Sequence, residues 1–368
     1  MTTPVAYMGH RFDNTVINAP PDKSSTACKP RQDEVHFRNI RVKPNQDQII
    51  MKNSKQPNPR RQNSLFRAAL LFLCVMTMPV VTHADGFKDT KGKYLDVMQE
   101  GKARLRYMYE FDNSTKDKAL ETYKVFYHVM DETGEDTLTK GAGHKYTHHR
   151  GIFLGWNKLT HNGQLSDLWH MGGGAVQKHN KILAQEADKA KSVLSTQIDW
   201  FMTGGETQCI EEIRTVTVYH TDDAHLLMDF ESKLKAIEGD VTLAGDPEHA
   251  GFQYRPHQDV FENKSAKYLF NQAGIDPKKD KDLPWVAETY DLRGQKYTVQ
   301  HMNHSDNPKD TLYSAYRDYG RFGCFVETEI KQGETLTLRY RIRITLAEVP
   351  SVDEMNTRYS QFIKIANH

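Results

Sequence analysis

From Glu334 onward the chain reads ETLTLRYRIRITL. Leu336, Leu338, Tyr340, Ile342, Ile344 and Leu346 alternate with Thr335, Thr337, Arg339, Arg341, Arg343 and Thr345. A period of two sustained over such a length is a strand with one buried and one wet face. MDFESKLKA repeats the pattern, with Met228, Phe230, Ser232 and Leu234 set against Asp229, Glu231, Lys233 and Lys235. Around Val125 to Met130 both faces are apolar, which predicts a strand covered from both sides. Further strand-like runs fall at 103–110, 151–157, 193–202, 207–220, 285–291, 296–302 and 322–330. Turn residues punctuate them, as at Asp131-Glu-Thr-Gly134, Gly245-Asp-Pro247 and Lys331-Gln-Gly333. One helix is predicted near the end. Ser351 and Glu354 form a capping box, and Val352, Met355, Tyr359, Phe362 and Ile363 recur at helical spacing. Many strands, few helices and frequent turns predict an all-β chain: a large antiparallel β-sandwich with a short C-terminal helix.

Residues 51–84 break this pattern. Lys52, Lys55, Arg60, Arg61 and Arg67 precede an apolar run from Ala68 to Met78, and Thr82 and Ala84 supply small residues for a cleavage site. This reads as a secretory signal peptide, with an apolar run too short to span a bilayer. Leu73 before Cys74 argues against a lipoprotein anchor, and Gln62-Asn63-Ser64 after the arginine pair argues against twin-arginine export. Residues 1–50 are polar and charged and read as disordered or untranslated, with Met51 as the true start. The expected organisation is therefore a signal peptide at 51–84 and a single β-sandwich domain at 85–368, exported to the periplasm or beyond. Once the leader is removed, no run approaches the ~18 apolar residues of a membrane helix.

Charge excludes one class of partner. A net charge of +1 offers no basic excess to neutralise a nucleic-acid backbone. Cys209 and Cys324 are the cysteines left after the leader. They either pair in an oxidising compartment or stay as buried thiols.

Candidate chemistry gathers around histidines. GHKYTHHRGIFLGW, residues 143–156, places His144, His148, His149 and Arg150 ahead of an apolar run. With this segment extended, His148 and Arg150 share one face and His149 takes the other. Facing a cleft, such a pair suits an anionic or hydroxyl-rich ligand, because guanidinium forks onto paired oxygens and imidazole moves protons near neutral pH. The alternative is a hydrogen-bonded core histidine that holds the loop. Asp167 and Trp169 could grip hydroxyls and stack on a sugar's C–H face, or cap a turn and fill the core. His249, Gln253 and Arg255 form a second cluster, which His257 joins if the strand continues past Pro256. His301 and His304 form a third. The candidate catalytic set is His148, His149, Arg150 and His249. The candidate substrate-binding set is Asp167, Trp169, Gln253, Arg255, His257 and His304. No metal ligands and no cofactor are assigned, although histidines in these numbers leave a metal site open. Gly172-Gly173-Gly174 lacks the context of a phosphate loop, and no nucleophile elbow or dinucleotide fingerprint occurs.

Several stretches together resemble a bacterial family that carries the label PmoA and is otherwise a domain of unknown function. The matching residues are Gly143-His144, His148-His149-Arg150-Gly151 with Phe153, Asp167-Leu168-Trp169, and His249-Ala-Gly251-Phe-Gln-Tyr-Arg255. Pro284-Trp285-Val286, His304 with Asn307-Pro308, Tyr319-Gly320-Arg321-Phe322-Gly323 and Gly333-Glu334-Thr335-Leu336 continue the match. Lys145-Tyr146-Thr147 departs from it, where the family has a proline-containing segment. The resemblance implies a supersandwich similar to that of galactose mutarotase, in proteins often carried by polysaccharide-degrading bacteria. The label names a methane monooxygenase subunit, which is an integral membrane protein, so here it reads as a misnomer. The expectation is an exported protein acting on a carbohydrate or sugar derivative. A histidine would serve as general acid or base and an arginine as anchor, in a lyase, hydrolase or epimerase reaction. A non-catalytic glycan-binding module and a histidine-ligated metalloenzyme are the alternatives.

Overall fold

The computed structural model describes residues 85–346 and 349–365. The expected leader at 51–84 and the fifty residues before it lie outside the described residues. Strands dominate, and every pairing between them is antiparallel. One eight-stranded sheet runs in the order Gly86–Thr90, Tyr94–Gln99, Lys102–Met108, Phe126–Val129, Ile152–Trp156, Ala250–Tyr254, Phe322–Phe325, Leu312–Tyr313. The second runs Lys267–Phe270, Trp285–Leu292, Gln295–Asn303, Thr335–Leu346, Leu226–Ala236, Gln208–Tyr219, Lys191–Phe201, Val176–Ala187. A four-stranded sheet joins Thr328–Ile330, Val241–Ala244, Lys158–His161 and Gln164–Ser166.

The two large sheets pack face to face. Phe252 of the first lies 4.3 Å from Phe230 and 4.6 Å from Tyr340 of the second, measured between ring centroids, and Trp156 meets Trp200 at 6.2 Å. Tyr127, Ile152, Leu154, Ile198, Val216 and Ile342 fill the same core. Each such side chain contributes ~1.5–3 kcal/mol when fully buried. The predicted alternation in the 335–346 strand is realised. Leu338, Tyr340, Ile342 and Ile344 point into the sandwich, while Arg339 and Arg341 pair outward with Glu231 and Asp229 on the neighbouring strand.

The predicted C-terminal helix spans Val352–Ile365 and covers the outer face of the second sheet. Met355 and Phe362 pack there with Trp285, Ala287 and Met302, and Trp285 Nε1 donates to Asn356. Two short helices, Lys116–Thr122 and Gln258–Asn263, are additions that periodicity did not reveal. The run at 322–330 is two strands in different sheets, not one. Cys209 and Cys324 are buried free thiols. Among the described residues, no helix is long and apolar enough to cross a membrane.

Candidate functional site

Residues 130–151 leave the first sheet and return to it, and two buried lysines shape the return. Lys140 Nζ lies within hydrogen-bond distance of the carbonyls of Gly141, Gly143, Tyr146 and His149, at 2.7–3.3 Å. Burial, with Arg255 and Arg150 nearby, brings its pKa down to about 7. Lys124 Nζ donates to the carbonyls of Trp169 (2.5 Å) and His148 (3.2 Å), which ties this loop to the next one. Gly151 closes the loop at φ 35°, where a Cβ would sit 2.0 Å from the Tyr127 carbonyl oxygen. A side chain there would push the paired strands apart.

The loop brings His148 and His149 together, with ring centroids 4.3 Å apart. The expected extended geometry is thus corrected. The His149 amide donates to the Tyr146 carbonyl at 2.9 Å and closes a turn over 146–149 ahead of the strand, so the two imidazoles share one region and Arg150 leaves it. The Arg150 guanidinium lies over the Tyr123 ring and donates to the carbonyls of Leu120, Glu121 (2.5 Å) and Thr147 (3.2 Å). It neutralises the carbonyl end of the Lys116–Thr122 helix and has no free fork to offer a substrate.

Two further histidines complete the group, and each is held by a carboxylate three residues earlier. His170 Nδ1 donates to Asp167 Oδ2 at 2.7 Å, and His249 Nδ1 donates to Asp246 Oδ1 at 2.9 Å. Asp167 Oδ1 also receives the Trp169 and His170 amides, while Asp246 receives the Glu248 amide and Asn157 Nδ2. These bonds outweigh burial and hold both carboxyls below the usual carboxylate range. A carboxylate on Nδ1 fixes ring and tautomer and leaves Nε2 as the working nitrogen. The two rings lie 5.3 Å apart, and His170 lies 4.3 Å from His148. Both paired imidazoles reach solvent, His170 with 39% and His249 with 37% of the side chain exposed.

Beneath this rim lies a covered floor. Trp169 is 0%, His149 3% and Arg321 0% exposed. Trp169 therefore fills the hydrophobic side of the site against Phe153 (4.7 Å) and is not an open stacking platform. His149 sits 6.0 Å from Trp169 and 6.3 Å from Tyr319. Neither of its nitrogens has a hydrogen-bond partner, nor do Trp169 Nε1 and Arg321 Nε and Nη2. Burial, then Arg321 and His148, hold His149 neutral, far below the usual imidazole range. Burial, then His170 and Lys124, bring His148 down to about 2.

The other candidates divide. Gln253 Oε1 accepts from Arg321 Nη1 (3.1 Å) and Ser314 (3.1 Å), so it positions Arg321 from below. Arg255 Nη1 donates to the carbonyls of Tyr319 and Pro256 and its guanidinium lies 5.1 Å from the Tyr319 ring centre, so it shapes the Tyr319 loop. His257 does not join them. The strand stops at Tyr254, and His257 instead caps the Gln258–Asn263 helix through its own ring. His304 is also a correction: its Nδ1 receives the Asp306 amide and its ring packs 5.0 Å from Phe362 of the C-terminal helix.

Sequence reasoning missed His170, Glu248, Arg317 and the carboxylate of Asp246 that holds His249. Glu248 pairs with Arg317 at 2.7 Å and approaches Arg321 Nη2 at 3.6 Å. An Asp-x-x-His spacing at 167–170 and again at 246–249 was the available signal. It is not sufficient, because Asp222 and His225 share it while His225 Nε2 bonds the Met130 carbonyl instead. Among the described residues, no group of three or more His, Cys, Asp or Glu is placed to hold a metal ion. A cavity of about 520 Å³ lies beside the histidines rather than among them, against Met171 and Tyr123. We place acid–base chemistry at the histidines because the lining of that cavity carries no imidazole.

The model of a family of unknown function, DUF6807, matches residues 94–359, and the chain belongs to that family. No curated protein matches the chain. Among solved structures, a mutant of heparan sulfate lyase HepC from Pedobacter heparinus is 10% identical, with TM-score 0.38, 72% of this chain covered and 37% of the lyase. A putative kojibiose phosphorylase from human microbiome is 8% identical, with TM-score 0.33 over 72% of this chain and 32% of that one. A GalM/aldose epimerase homologue from C. elegans is 7% identical, with TM-score 0.32 over 73% of this chain and 100% of that one. The chain thus spans little more than a third of the lyase's length, and likeness at this level assigns it no activity.

Proposed function

We propose that this protein is an exported enzyme that acts on a carbohydrate or sugar derivative by histidine acid–base chemistry. The observation that carries the reading is the pair of Asp–His units, Asp167–His170 and Asp246–His249, with rings 5.3 Å apart on an open rim. One imidazole accepts a proton from a substrate carbon or hydroxyl at Nε2 while the other, as imidazolium, delivers one. The carboxylates stabilise whichever ring becomes charged. His148 and His149, held neutral, act as hydrogen-bond partners and not as proton carriers. Arg317 at the rim and Arg321 beneath it replace Arg150 as the source of positive potential. Tyr146, 37% exposed and 5.6 Å from Tyr319, takes the stacking role first considered for Trp169.

The signal peptide at 51–84, the single sandwich domain at 85–368 and the resemblance to the PmoA-labelled proteins belong to the same reading, with the oxygenase label as a misnomer. The test is solvent exchange. Sugars, glycosides and uronides are incubated with the protein in deuterium oxide and followed by proton NMR. A substrate should gain deuterium or break down, and His170→Ala and His249→Ala should each suppress that. Glycan binding that survives both changes, with no exchange or product, would favour the non-catalytic module.

A further inference from the structure

The cavity of about 520 Å³ falls within the range of ~300–1,000 Å³ common for small-ligand pockets. One wall is the Lys116–Thr122 helix with Phe111. Phe111 and Leu120 are 38% and 46% exposed although both are large and apolar. Part of the remaining lining is glycine backbone. Gly173, Gly174, Gly204 and Gly205 supply it with φ of 65°, 89°, 97° and 74°, a region that favours glycine. The Gly204 amide donates to the Gly173 carbonyl at 2.8 Å and clasps the two loops together, and a Cβ on Gly204 would meet nothing within 4 Å. These four positions add no side chains to the lining, while Met171, Ala175, Val176 and Lys178 line the groove beside them, with Lys178 Nζ 4.4 Å from the Phe111 ring centre. Asn113, Lys116, Asp117 and Lys178 add polar groups to the lining.

We propose that this groove is a second ring subsite continuous with the histidine rim, so that the substrate is a glycoside or oligosaccharide and not a free monosaccharide. The proposal rests on the reading above. A pyranose or aryl ring has a flat apolar face that suits the glycine backbone and the Phe111–Leu120 wall, and a sugar's hydroxyl edge suits Lys116 and Asp117. An acyl chain would leave those polar groups unmatched. Continuity comes from one short segment. Met171 lines the groove and directly follows His170, while Lys124, next to groove-lining Tyr123, holds the carbonyls of Trp169 and His148. A ring in the groove therefore lies next to the peptide that carries His170, one of the two acid–base histidines.

The full chain labelled with ¹³C-methyl methionine tests this. The Met171 signal, assigned with Met171→Leu, is followed during titration with 4-nitrophenyl α- and β-glucosides, glucose and decanoate. The two-ring probes should shift it saturably and glucose should not. Ala119→Trp, which fills the groove from the helix, should weaken the glucosides at least tenfold. No shift with either glucoside, a shift that Ala119→Trp leaves unaltered, or a response to decanoate alone overturns the proposal. Its failure is separable from failure of the acid–base reading, which His170→Ala and His249→Ala decide through turnover.

Discussion

Two of the buried polar clusters among the described residues differ in how far their groups are satisfied. Between the large sheets, Glu212 accepts from Arg214 Nε (2.8 Å) and Ser232 (2.7 Å) on one oxygen, and from Trp200 Nε1 (2.8 Å) and Arg214 Nη2 (2.9 Å) on the other. Its carboxylate is fully engaged, and the guanidinium lies 5.2 Å from the centre of the Phe230 ring. At the histidine floor, Trp169 Nε1, both nitrogens of His149 and Arg321 Nε and Nη2 have no hydrogen-bond partner, Nη2 having only Glu248 as an ion-pair neighbour at 3.6 Å. A carboxylate engaged on both oxygens fixes its neighbours where the sheets meet, although Arg214 Nη1 has no hydrogen-bond partner. An unsatisfied cluster beneath solvent-facing histidines carries a desolvation cost that folding alone does not reward. Unpartnered atoms occur elsewhere too, as at both Glu288 oxygens and at Arg255 Nε and Nη2, so it is the solvent-facing Asp–His pairs above this floor that set the candidate site apart.

Removing one partner from the Glu212 cluster should have the largest effect on stability. Glu212→Gln leaves the Arg214 charge buried without compensation and should cost ~3–5 kcal/mol. Urea denaturation monitored by tryptophan fluorescence measures it. A loss below ~1 kcal/mol would remove the structural half of the contrast. The complementary change acts on function. His170→Ala or His249→Ala should lower turnover of the substrate found by deuterium exchange by ~10²–10⁴-fold, with the urea midpoint little changed. A midpoint that falls as far as in Glu212→Gln would mean that the rim pairs are structural too.

Acid should sharpen the distinction between histidine environments. His301 lies in the core with its nitrogens near Tyr313 Oη (3.2 Å) and the Phe252 carbonyl (3.3 Å). Burial brings its pKa from the ordinary 6.5 to about 3. The unfolded chain therefore binds a proton that the folded chain refuses between about pH 6.5 and 3. His301 should leave stability unchanged above that window and weaken it through the window, by up to ~1.4 kcal/mol per pH unit. Urea midpoints at pH 7, 5 and 4 should fall less steeply in His301→Gln than in the parent. Equal slopes would show that other groups carry the acid response.

The sandwich was legible because its signal is local. Leu338, Tyr340 and Ile342 alternate with arginines in adjacent positions, and a half-buried strand requires that alternation. The C-terminal helix was legible for the same reason, through Ser351 and Glu354. The site was legible only in part. His148, His149 and His249 do meet, but Arg150 was assigned to them on the premise of a strand, and the positive-φ residues His144 and Tyr146 wind that stretch into a loop. His257 was lost because the chain turns into a helix after Pro256. His170 was overlooked beside the more conspicuous Trp169, since its role depends on a second loop whose position only the tertiary fold sets. Arg317 and Arg321 reach the site from a third segment, and no spacing rule links 317 to 148.

The smallest expected change in stability belongs to the floor. His149→Phe replaces a buried ring with two unpartnered nitrogens by an apolar ring of similar shape. Removing polar atoms that have no partner costs no hydrogen bond, so stability should change by less than ~1 kcal/mol and in the favourable direction. The His149 ring faces Tyr146 at 5.3 Å and Tyr319 at 6.3 Å, contacts that phenylalanine can keep. Turnover should nonetheless fall, because a neutral imidazole that can hydrogen-bond a substrate has been lost. Stability and turnover measured on the same preparation decide the matter. A destabilised variant with turnover intact would place His149 with Glu212 as a structural residue. The unpartnered floor would then no longer mark a functional site.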